Sequence, residues 1–118
     1  MMSVKPVEMQ EVTSAIWNTA KRLEHGVDTI AKKAKEYAMA EKEYRIALRK
    51  EIVKLRTEKM PVTLINDVAR GSEDVVELKF NRDLALETYK ASRDMLNALG
   101  TEVSSLQSIL KVQTNIER

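Results

Sequence analysis

Between Val12 and Lys59 the apolar positions fall at Ile16, Ala20, Leu23, Val27, Ile30, Ala34, Tyr37, Tyr44, Leu48 and Leu55. The steps alternate between four and three residues, pass through Glu41, and resume in register beyond it. A seven-residue repeat of this kind is the period of a helix packing along one seam, whereas a half-buried strand alternates every second residue. The spacing predicts a helix over 12–59. Gly26, which costs about 1 kcal/mol of helix propensity, marks His25–Gly26 as the place for a bend. Trp17 adjoins Ile16 at the seam's border and reads as a core-edge anchor.

Met60–Pro61 stops this helix, because proline lacks an N–H and disfavours helical backbone at the residue before it. Leu64, Ile65 and Val68 then follow helical spacing. With Thr63 as a cap and Gly71 as a terminator, they predict one to two turns from Leu64 to Arg70. Ser72 is a good N-cap, and Glu73 and Asp74 fall where the helix dipole favours negative charge. A second seam follows at Val75, Leu78, Arg82, Ala85, Tyr89, Ser92, Leu96, Leu99, Val103, Leu106, Leu110 and Gln113, unbroken across Gly100. Two long seam-bearing helices joined by about a dozen residues predict an all-α fold. Its form is a long antiparallel helical hairpin with a short connector helix, assembling into a helical-bundle oligomer. The expected organisation is a flexible arm over 1–11 and a single hairpin domain over 12–118, with helices over 12–59 and 72–115 and a connector over 60–71.

Composition agrees with this picture. The 118 residues include only three Gly, two Pro and 4% aromatic residues, too few turn formers for a sandwich or barrel. There is no cysteine, which removes disulfides, thiolate metal sites and thiol nucleophiles. The opening MMSVKPVEMQEV has no apolar stretch of the secretory type, and no window approaches the roughly 20 apolar residues of a membrane span. The expectation is a cytoplasmic protein with no membrane contact.

Charge and leftover faces carry the candidate chemistry. On the first helix Met39, Ile46 and Val53 recur every seven residues on the side away from the seam; on the second, Val76, Phe80 and Leu84 form a comparable stripe. Either the connector folds over these residues within one chain, or they join copies of the chain. The connector offers only Val62, Leu64, Ile65 and Val68, so a homo-oligomer is expected. One edge of the first helix carries Lys21, Asp28, Lys35, Lys42, Arg49 and Arg56. It reads first as a solvated edge and second, through Lys35, Lys42, Arg49 and Arg56, as a phosphate-contacting ridge without the interleaved aromatics of a single-strand platform. Glu41 and Arg82 are charged residues on otherwise apolar seams. A buried charge demands a partner. In a hairpin without offset Glu41 faces Tyr89 to Arg93, so it is expected to pair with Arg93, or with Arg82 in a shifted register, with Tyr89 donating a hydrogen bond; the pairing would fix the register. The alternative is a small-anion pocket between subunits.

Catalytic convergence is scarce. His25 is the single histidine and has no ligand at metal spacing; Ser104, Ser105 and Ser108 have no base; no phosphate-loop, dinucleotide or zinc-protease motif occurs. The expectation is no enzyme, no cofactor and no metal.

From Tyr37 to Tyr89 the runs Ala40-Glu41-Lys42-Glu43-Tyr44-Arg45, Leu55-Arg56, Pro61-Val62-Thr63-Leu64-Ile65, Asp67-Val68-Ala69-Arg70-Gly71 and Leu78-Lys79, with Arg82-Asp83, Ala85 and Tyr89, resemble small helical proteins of the early regions of phages and prophages of Gram-positive bacteria. The resemblance covers about half the chain. It implies a phage context and, with it, the host cytoplasm, and assigns no residue a role. The functional expectation is a helical interaction protein that binds a host or phage protein. The alternatives are an accessory nucleic-acid-binding protein of recombination or replication and an anti-defence protein that sequesters a nucleotide signal.

Overall fold

The computed structural model describes residues 8–117. Among them it holds three helices and no strand: α1 (Met9–Thr57), α2 (Val62–Arg70) and α3 (Glu73–Glu117). α1 and α3 pack against each other as a hairpin. Residues 1–7 of the expected arm lie outside the described residues. Met9 to Glu11, also assigned to the arm, open α1 instead: the Val12 N–H donates to the Glu8 carbonyl at 3.2 Å, and Val12 is buried. Burying Val12 gives the first turn a reason to form that its polar neighbours lack.

The chain divides into two compact units, Met1–Thr29 with Ser92–Arg118 and Ile30–Ala91. In the first, α1 turns Val12, Ile16, Thr19, Leu23 and Gly26 inward. Ala20 and Val27, expected on the seam, are exposed, and Thr19 and Gly26 take their places. These covered positions run in steps of four and three, one residue out of phase with the expected seam at Ala20 and Val27. Gly26 is covered for a packing reason: a Cβ there would stand 2.8 Å from Leu96 Cδ1. It is a contact point inside a continuous helix, not a break. Trp17 is no core-edge anchor; it is 64% exposed, with the Lys21 ammonium 5.0 Å from its ring centre. On α3, every seam position read from the sequence is buried or half-buried, and the helix runs through Gly100.

In the unit Ile30–Ala91, α1 ends before Pro61 in a Schellman motif. Met60 N–H reaches the Leu55 carbonyl at 3.1 Å, Lys59 N–H the Arg56 carbonyl at 3.0 Å, and Lys59 adopts a left-handed φ of 59°. Pro61 then precedes α2, which starts at Val62. Thr63 lies inside α2 and does not cap it; the start has no side-chain cap, and the Leu64 N–H donates to the Pro61 carbonyl at 2.9 Å. α2 folds back on α1. Ile65 and Ala69 pack with Leu55, and Leu48, Ile52 and Met60 close around them. Gly71 ends α2 with ordinary right-handed backbone, and the Val76 N–H donates to Ser72 O at 2.8 Å to open α3.

Candidate functional site

The fold-back of α2 decides which residues face each other in the unit Ile30–Ala91. Because α2 occupies the flank of the last turns of α1, Glu41 meets Arg82 rather than Tyr89 to Arg93, two to three turns nearer the connector than a hairpin without offset would bring it. Glu41 Oε2 lies 3.5 Å from Arg82 Nη1, and Glu41 Oε1 accepts a 2.8 Å hydrogen bond from Arg45 Nε one turn along α1. Arg82 also donates to Asp83 Oδ1 at 2.9 Å, and its guanidinium carbon lies 4.6 Å from the Tyr44 ring centre. The Arg45 hydrogen bond lowers the Glu41 pKa; partial burial opposes this, and the Arg82 charge reinforces it. Asp83 is lowered chiefly by its hydrogen bond from Arg82. The Arg82 pKa is raised, chiefly by the same hydrogen bond. Tyr89 is half-buried in this unit. Arg93, the first cation suggested for Glu41, belongs to the other unit, where its Nε lies 3.9 Å from Asp94.

Beside this pair the three helices enclose an open groove of about 640 Å³. Its cationic lining is Arg45, Arg49 and Arg56 from α1, Arg70 from the end of α2 and Arg82 from α3; among the described residues Glu41 is its one acidic residue. Tyr44, Leu48, Ile52 and Val53 supply the apolar lining. Glu41 is engaged by Arg45 and Arg82, and among the described residues Arg49, Arg56 and Arg70 have no ion-pair partner. The suggested phosphate ridge is therefore divided. Arg49 and Arg56 line the groove, while Lys35 and Lys42 are exposed on α1 outside it. Arg45 and Arg70 complete the groove. Arg45 is legible from spacing, standing four residues before Arg49 and eleven before Arg56 on one helical face; Arg70 is not, because only the packing of α2 brings it in.

The six apolar residues proposed as an interface are all exposed in the same unit: Met39, Ile46, Val53, Val76, Phe80 and Leu84, between 45% and 61%. The connector does not cover them. It buries Ile65 and Ala69 and leaves Val62, Leu64 and Val68 exposed as well.

In the unit Met1–Thr29 with Ser92–Arg118, a largely apolar cleft of about 400 Å³ lies between α1 and α3, lined by His25, Gly26, Met95, Leu96 and Leu99 among others. Arg22 reaches Glu102 across the hairpin at 4.0 Å. Gln113 Oε1 is buried without a hydrogen-bond partner among the described residues. Among the described residues no group of three or more His, Asp or Glu is placed to hold a metal ion, and no helix is long and apolar enough to cross a membrane. Compared with known proteins, the chain matches no family model, no curated protein and no solved structure.

Proposed function

We propose that this chain is a non-enzymatic helical interaction protein that associates with itself through the apolar faces of the unit Ile30–Ala91 and binds a host or phage protein through the hairpin. One observation carries the reading. Nine large apolar side chains of this unit, the six stripe residues with Val62, Leu64 and Val68, stand exposed while its buried core is small. Exposed apolar surface on this scale marks interaction sites in soluble proteins, and a thin two-helix core gains most from a second layer. The resemblance of 37–89 to early-region phage proteins supports a phage context and the host cytoplasm as the place of action.

The test is the mass in solution. Light scattering of the full chain at tens of micromolar should give a multiple of 13.5 kDa. The double variant Ile46→Glu with Phe80→Glu should return it to one chain while keeping most of the helical signal. A monomeric wild type overturns the self-association. For the partner, affinity capture with wild type and the double variant side by side should enrich a protein that the variant loses.

A further inference from the structure

The groove of the unit Ile30–Ala91 is selective in its cations. Five of the chain's eight arginines line it, and among the described residues no lysine does. A solvated helix edge would mix the two, as the exposed edge of α1 with Lys35, Lys42, Arg49 and Arg56 does. Arginine differs from lysine in offering a planar fork of donors that grips two oxygens of one phosphate and lies flat on a ring. Arg82 already uses the second property against Tyr44. The charges are also left in excess, since one carboxylate, Glu41, faces five guanidiniums and is occupied by two of them. Arg49, Arg56 and Arg70 have no ion-pair partner among the described residues, and like charges gathered over an apolar lining repel one another until an anion arrives.

We propose that this groove binds a small ligand with two or three phosphate groups on a flat or apolar body, of the nucleoside di- or triphosphate class. Arg49, Arg56 and Arg70 take the phosphates. Leu48, Ile52 and Val53 offer the body an aliphatic surface. A volume of about 640 Å³ is in the range of small-ligand sites. The arginines come from three helices and converge, whereas an extended nucleic-acid backbone would follow one edge and include Lys35 and Lys42, which lie off the groove. The groove is built within one chain, and its arginines lie off the apolar stripes; Val53 alone belongs to both surfaces.

Calorimetric titration of the full chain with ATP, with inorganic tripolyphosphate and with a short DNA duplex tests the proposal. ATP should bind once per chain and more tightly than tripolyphosphate, and raising the salt should weaken both. Arg49→Gln and Arg70→Gln should each weaken ATP binding by about tenfold or more, the usual effect of losing a charged hydrogen bond. The double variant Lys35→Gln with Lys42→Gln should change it less than about twofold. Arg49 and Arg70 are exposed, so helicity and melting temperature serve as folding controls. Failure of ATP and tripolyphosphate to bind below about 1 mM overturns the proposal. So does equal loss in the lysine variant, which would make the site a surface edge. Equal affinity for ATP and tripolyphosphate overturns the apolar-body part, and a duplex that binds more tightly than ATP makes the ligand a nucleic acid.

Discussion

Glu41 and Arg82 meet across the hairpin at 3.5 Å, two residues 41 apart in the chain, and the Arg82 guanidinium rests at 4.6 Å over Tyr44 on the same side. The pairing joins two otherwise apolar seams, so it has a stake in register as well as in stability. Arg82→Gln removes one partner and leaves Glu41 to Arg45 alone; it should lower the melting temperature more than Arg93→Gln, whose side chain is half-exposed. Glu41→Leu, which completes the apolar repeat, should be less harmful than Arg82→Gln, because replacing a partly buried ion by packing surface removes its desolvation cost. Thermal melts of the three variants decide. Equal effects of Arg82→Gln and Arg93→Gln would mean that the pair does not hold the register.

Acid should weaken the same place. Glu41 and Asp83 both have pKa values lowered in the folded chain, Glu41 first by Arg45 and Asp83 first by Arg82. A carboxyl lowered on folding contributes stability that is fully present above its unfolded value, about 4 to 4.5, and is lost as the pH falls through the folded value. The melting temperature should therefore hold from pH 7 to about 5.5 and fall below about 4.5. Glu41→Gln should begin lower and fall less steeply. Parallel curves for wild type and variant would assign the acid loss to other carboxyls.

Leu55, Ile65 and Ala69 make the contact that folds α2 back, with Ala69 fully buried. There is no room at Ala69 for a larger side chain, so Ala69→Leu should cost about 1–3 kcal/mol by overpacking. Leu55→Ala should cost about 2–5 kcal/mol by leaving a cavity. Val68→Leu, one residue away and exposed, should stay within about 0.5 kcal/mol. Denaturant titrations give all three. The two buried variants should also loosen the groove, since Arg70 depends on α2 for its position.

The sequence made the helices and the α3 seam legible because Val75 to Gln113 keep one unbroken period, which burial reproduces position by position. Ala20 and Val27 fall off the seam because Gly26, a helix weakness by propensity, is a side-chain-free contact for Leu96 and belongs in it, and including it shifts the phase by one residue. The stripe residues, too, could be named from spacing alone. The groove could not. Arg49 and Arg56 are visible as an edge of α1, but bringing Arg70 and Arg82 to them depends on α2 lying along α1, a tertiary contact made by Ile65 and Ala69; spacing marks Ile65 as apolar but does not say what it packs on, and Ala69 is not singled out at all.

The two helical glycines separate propensity from packing. A Cβ at Gly100 meets nothing within 4 Å, whereas one at Gly26 would stand 2.8 Å from Leu96 Cδ1. Gly100→Ala should stabilise the chain by about 0.5–1 kcal/mol, the helix propensity gained with nothing to displace. Gly26→Ala gains the same propensity but must turn Leu96 aside, so it should stabilise less or not at all. Thermal melts that rank Gly26→Ala above Gly100→Ala would refute the close approach of Leu96.

Lys59 takes the left-handed position of the Schellman motif that ends α1, at φ 59°, where a side chain strains the backbone and glycine does not. The left-handed conformation costs a non-glycine residue about 1–2 kcal/mol, and glycine returns part of this through the larger entropy of its unfolded chain. Lys59→Gly should therefore be neutral to stabilising, by up to about 1 kcal/mol. Lys59→Val, branched at Cβ, should destabilise by more than about 1 kcal/mol. The motif also seats Met60 against Leu55, so distortion at Lys59 reaches the contact that holds α2. Chemical denaturation of both variants is the measurement: if Lys59→Val is as stable as wild type, the turn does not depend on the left-handed residue and α2 is held by its core contacts alone.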